Sequence, residues 1–578
     1  MTRNTTIQLL FLTSSLLLSG CALVEKSEPV VAKKAKPVVK KVAPVRLDLP
    51  DVNLDADLLF TLLSGEIAGY RGELGLATEQ YLQAAKQTRD PRVIERAIRV
   101  ASYAKLHKQG LEAARLWVEI KPDSDAAQSN LAILLLRNGL NAEALTVFDR
   151  VIKLAKNKHT RFIKLGKKLL SEKNRQQVLE MTQQLVVRYP QIAAGHFILS
   201  SLAEQAGKLA LAESAVRQAL VLKEGWTNAQ NQLARILHLQ GNTVGAITYL
   251  EKILKNSPDN ISIRLSYARL LVDAKRLDDA RNEFEKLAIA SPENTNILFA
   301  LGILALQSDN LEHAERYFEK IKGKGRRGLE ANYYLGQIAE KAKNYTKAIS
   351  HYNRVSQGEY AFDAQMRVAR LLAKQGKSEL ALTALNNMSI RGEAQLVSVI
   401  LAKGDILRDE KRFADAIEIY NQGLEKLPNQ TDLLYARALM AERVDRIDIL
   451  MNDLKTILKT EPDNAHALNA LGYTLADRTG KYKEALKYIS RALELLPDDP
   501  AIIDSMGWVQ YRLGNHDAAL KHLTRAYDLN DDAEIAAHLG EVLWALGEKT
   551  RASKVWREGL KQSPDDERLL EVMKRLEL

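Results

Sequence analysis

Cysteine is nearly absent: a single one, Cys21, occurs in 578 residues. A disulfide-stapled fold and a multi-cysteine metal site are both excluded on that count. Proline is scarce, at 14 residues, and aromatic side chains make up 6% of the chain. No stretch alternates apolar and polar residues as a half-buried strand does, so the chain reads as nearly all α. No apolar run reaches the roughly 20 residues that a membrane-crossing helix needs. The ten histidines are scattered, with no H-E-x-x-H and no second cysteine to join them in a ligand set. His516, His522 and His538 come nearest to a cluster and read as surface histidines.

What the chain does have is a ladder of alanines. Ala212, Ala246, Ala280, Ala314 and Ala348 follow one another at steps of 34 residues. The same register continues at Ala77, Ala113, Ala144, Ala416, Ala485, Ala519 and Ala552, with Ala381 one residue early; Val178 and Leu450 break it. A fixed period of this length means an array of units, each too small to bury its own core. Around each alanine a pattern returns: Leu301-Gly302, then Ala305, Ala314 and Phe318, followed by Leu335-Gly336, then Ala339, Ala348 and Tyr352. Prolines recur between units at Pro190, Pro258, Pro292, Pro428, Pro462, Pro497 and Pro564. Gly and Ala suit a close helix crossing, the aromatic fills the gap to the next unit, and Pro ends the second helix.

This pattern resembles the tetratricopeptide repeat (TPR), two antiparallel helices per unit. The resemblance implies an all-α, right-handed superhelical solenoid of about 11 to 15 units. Degenerate repeats are expected over 51–192, the main array over 193–566 and a capping helix over 567–578, with Leu569, Leu570, Met573 and Leu576 on one face. A single core would be strained at this length, whereas a solenoid packs each unit only on its neighbours.

Residues 1–20 stand apart. Arg3 precedes an apolar run from Leu9 to Leu18, closed by Leu18-Ser19-Gly20-Cys21. The tetrad resembles a bacterial lipobox, which implies a signal peptide cut before Cys21 and a Cys21 that is diacylglycerated and N-acylated. With Ala22 and not Asp behind the cysteine, the resemblance further implies an outer-membrane anchor facing the periplasm. Residues 21–50 are rich in Lys, Val, Ala and Pro and read as a tether; extended, they would reach about 90 Å. The net charge of +11 is spread among acidic residues on helix faces, so no nucleic-acid partner is expected.

Motifs of catalysis match only on paper. Gly323-Lys-Gly325-Arg-Arg-Gly328 spells a dinucleotide fingerprint, but it follows a helix and reads as a basic loop between units. Ser102-Tyr-Ala-Lys105 and Ser308-Asp-Asn310 match two boxes of penicillin-recognising enzymes, and the third, Lys-Thr-Gly, is missing. No enzyme, cofactor or metal is expected. In TPR proteins the first helix of each repeat lines a concave groove. The resemblance places Asn469 and Tyr473, then Asp504, Trp508, Tyr511 and Arg512, then Glu541 and Trp544 in it. Trp, Tyr and Arg are the residue types that anchor interfaces, although Trp508 and Trp544 could equally pack between neighbouring first helices. Asn228, Asn231, Arg235 and His238, with Arg269 and Arg370 beyond, form a second, polar stretch. Leader, tether and long array together resemble the outer-membrane lipoproteins that act as adaptors of periplasmic carboxyl-terminal processing proteases. That implies a protease partner, peptidoglycan hydrolases as delivered substrates, and lipid held through Cys21. The alternative is a TPR lipoprotein that assembles an outer-membrane machine, such as a pilus secretin or the barrel-insertion apparatus.

Overall fold

The computed structural model describes residues 50 and 52–575. The lipobox with Cys21, the leader and nearly all of the tether lie outside these residues, as does Leu576. Thirty-one helices and no strand occur among the described residues. They fall into two compact units, one ending at Leu304 and the other beginning at Ala305.

Inside each unit the organisation is sequential. A helix packs on the next helix in the chain and, more lightly, on the one after it, so successive helices pair as hairpins. Every alanine of the ladder, from Ala77 to Ala552, is fully buried, and the two exceptions, Val178 and Leu450, occupy equally buried places. The glycines at the Leu-Gly place of the repeat, with Lys403 instead of Leu before Gly404, face bulky residues of the second helix. A Cβ on Gly336 would overlap the Tyr352 ring, on Gly404 the Tyr420 ring, and on Gly540 the Trp556 indole. The aromatic of the pattern thus sits first on the glycine of its own repeat. Contact with the next repeat comes in addition, as where Phe318 stacks on Tyr334 at 5.4 Å.

Local chemistry sets the ends. Asparagine and aspartate N-caps accept backbone N–H bonds at many helices, among them Asn260 from Ile263, Asn464 from Ala467 and Asp499 from Ala501 and Ile502. Each recurrent proline follows a second helix by two residues: α12 (Thr243–Asn256) precedes Pro258, and α30 (Lys549–Gln562) precedes Pro564. The turn inside a hairpin needs a left-handed residue, supplied by Gly at Gly241 and Gly514 and by lysine at Lys275 and Lys343.

The regular pattern bends in two places. Helix α7 (Lys158–Leu169) makes few contacts with α8 (Arg175–Arg188) and packs on α9 (Ala193–Gln205), with Gly166 against Ile198. This is the hairpin in which valine replaces the ladder alanine. Helices α16 (Leu311–Glu319), α18 (Tyr345–Tyr352) and α20 (Ser378–Asn386) are short, and the longer α17 (Gly325–Lys341) and α21 (Glu393–Asp409) follow two of them. The Gly323–Gly328 motif is therefore only half loop: Gly325 begins α17, and Gly328 is buried within it against the carbonyls of Ile321 and Lys322.

At the C-terminal end, α31 (Glu567–Arg575) buries Leu569 completely against Trp556 and its neighbours. No described helix is long and apolar enough to cross a membrane.

Candidate protein-binding groove

Three first helices carry the residues picked out in the sequence: α25 (Ala465–Arg478), α27 (Pro500–Arg512) and α29 (Ala533–Ala545), all in the second unit. The structure brings most of them together, around a residue that was not among them. His538 is buried, not on the surface as its spacing suggested. Its Nδ1 lies 2.8 Å from Asp504 Oδ2, the Trp508 ring stacks on it at 4.2 Å, and Tyr473 Oη is 3.4 Å from its Nε2. Burial works against a charged imidazole, but the Asp504 carboxylate, with Asp477 and Glu541 beyond, outweighs it, so the His538 pKa is raised. Asp504 stands 34 residues before His538, the same place one repeat earlier.

Trp508 and Asp504 are accordingly core residues, 6% and 4% exposed, and neither side chain projects into solvent. The Trp508 indole N–H donates to Asp477 at 3.3 Å. What remains at the surface is half-buried. Tyr511 lies 5.4 Å from the Trp508 ring, and Arg512 donates to Tyr482 Oη at 2.9 Å while its guanidinium sits over the Tyr482 and Trp508 rings. Trp544 lies beside Trp556 at 5.8 Å under the Lys549 ammonium, and Glu541 pairs with Arg575 at 2.6 Å. Burial raises the Tyr473 hydroxyl well above the usual phenol range, against the pull of Arg568. Arg568 of α31 donates to that hydroxyl at 3.4 Å and pairs with Glu534. Arg568 carried no sequence signal, because its contact with Tyr473 joins residues 95 positions apart. Asn469 Oδ1 and Asp504 Oδ1 are buried acceptors without a partner among the described residues, positions that ordered water would satisfy.

The polar stretch of the first unit is knitted mostly to itself. Arg235 pairs with Glu204 at 2.8 Å, Asn231 donates to Ser262 at 2.9 Å, and His238 contacts Thr243 at 2.9 Å and Asp273 at 3.6 Å. Arg370, in the second unit, is exposed. No cluster of three or more His, Cys, Asp or Glu suited to a metal occurs among the described residues.

Family models for the tetratricopeptide repeat match residues 108–158, 237–291, 266–328, 463–532 and 511–576, and a tetratricopeptide repeat-like domain matches 304–448. A TPR repeat-containing protein of Pseudomonas aeruginosa is 36% identical over 548 residues, which cover 92% of this chain and 90% of that one. The chain belongs to the tetratricopeptide-repeat family. Tetratricopeptide repeat protein 8 of Caenorhabditis elegans is 26% identical over 26% of this TPR chain and 30% of its own length. Among solved structures, yeast Tom70 covers 78% of the chain and 95% of its own at 16% identity and a TM-score of 0.31. A thermophilic TPR protein of Thermus thermophilus covers 32% and 100% at 23% identity and a TM-score of 0.29. As a TPR protein, the chain is suited to scaffolding interactions between proteins.

Proposed function

We propose that this TPR chain is a non-catalytic adaptor, anchored to the outer membrane through acylated Cys21 and facing the periplasm. Its arrays hold a carboxyl-terminal processing protease and the protease's substrates, peptidoglycan hydrolases among them, raising the effective concentration of one beside the other. The observation that carries this reading is a single chain in which a Leu-Ser-Gly-Cys leader precedes thirty-one described helices, most of them paired as hairpins.

Binding would rest on the half-buried side chains of the groove, Tyr511 and Trp544 before all, because Trp508 is occupied in the core. Capture from a periplasmic extract by the full chain, compared with a Tyr511→Ala/Trp544→Ala variant, tests this. A soluble protease and hydrolases retained by the parent and lost from the variant are expected. Capture of integral barrels or secretin alone would replace the adaptor by an assembly factor.

A further inference from the structure

The first helix, α1 (Ala56–Arg71), is apolar on two sides. Leu58, Thr61, Gly65 and Ala68 are buried against the second helix, Leu74–Thr88. On the opposite side Phe60 is 70% exposed, Leu63 and Ile67 are each 52% exposed, and with Leu76 they border a shallow groove of about 350 Å³. A helix that is hydrophobic all round belongs in an interior, and the end of a repeat array ordinarily carries a polar outer face. Among the described residues the C-terminal end obeys that rule through α31, and the N-terminal end does not.

We propose that this face is covered by the same face of a second copy of the chain, the two α1 helices packing antiparallel about a two-fold axis. Charge decides for this occupant. Asp57 and Arg71 are exposed near opposite ends of α1, on the same flank of the apolar stripe, and neither has an ionic partner among the described residues. With the axis between Leu63 and Ser64, Phe60 of one copy meets Ile67 of the other, and Asp57 of each copy stands beside Arg71 of the other. The surface is thus complementary to itself in shape order and in sign, as an isologous contact requires. An anionic bilayer is the poorer fit, because Asp55, Asp57 and Glu66 outnumber Arg71 along this helix.

The test uses the full chain with Cys21→Ser, which leaves no native thiol. Ser64→Cys, next to the axis, should form a disulfide-linked dimer under mild oxidation. Tyr103→Cys, 79% exposed at the end of the third helix and not part of this groove's lining, should not. Asp57→Arg or Arg71→Asp alone should slow cross-linking several-fold, and the two together should restore it. These surface changes leave the fold intact, which circular dichroism verifies. Sedimentation of the Cys21→Ser chain as a monomer at every concentration would overturn the proposal. So would cross-linking of Ser64→Cys that ignores the charge changes, or a double variant that stays as slow as the single ones.

Discussion

Asp453 is completely buried beside the ladder position held by Leu450, and Arg437 grips both of its oxygens, at 2.8 and 2.7 Å, while also donating to Asn421. Removing the arginine leaves a carboxylate with no compensation in an apolar cluster. Arg437→Met should therefore destabilise this hairpin by about 3–5 kcal/mol, read as a lowered urea midpoint, whereas exposed pairs such as Arg276 with Asp279 are worth under about 1 kcal/mol. His538 gives a pH dependence of definite sign. Because its folded-state value is raised, its contribution to stability is fully present below the unfolded value of about 6.5 and disappears as pH climbs through the higher folded value. Urea midpoints for the second unit should fall as pH rises above about 6.5, and His538→Gln should flatten that fall. Neither residue was legible in the sequence. Asp453 and His538 are polar letters on helices whose partners lie a helix or a repeat away, and periodicity reports which face a residue is on, not what waits there.

At the level of elements the sequence was far more readable, since helix packing imposes a fixed spacing on small residues. The alanine ladder, the Leu-Gly pairs and the prolines located the hairpins because each marks a steric requirement that few other residues meet. Trp508 shows where this logic stops: its register assigns it to the groove side of α27, but a large ring there can lie flat on His538 of the next first helix. Closing elements follow the same steric rule. Helix α31 lays Leu569 against Trp556 and Gly559 and lends Arg568 and Arg575 to the groove. Ending the chain at Asp566 should loosen α29 and α30 and leave α23 and α24 (Thr431–Arg443 and Ile447–Thr460) unchanged in hydrogen exchange.

Among the described residues helix packing runs mainly between chain neighbours, so stability should accumulate largely hairpin by hairpin instead of belonging to one cooperative block. Ala314→Leu, at a fully buried crossing, should cost about 1–3 kcal/mol, and the faster exchange should be centred on α16 and α17. Acceleration of equal size at Ala77 and Ala552 would show that the units are not independent in this sense. The same mainly sequential packing bears on how the chain is made. No hairpin waits for a distant strand, so a polypeptide delivered end first, from a ribosome or through a pore, can lock each pair of helices as soon as that pair has emerged. Maturation then keeps pace with delivery, and at any moment only the newest pair presents unburied apolar surface to proteases and aggregation.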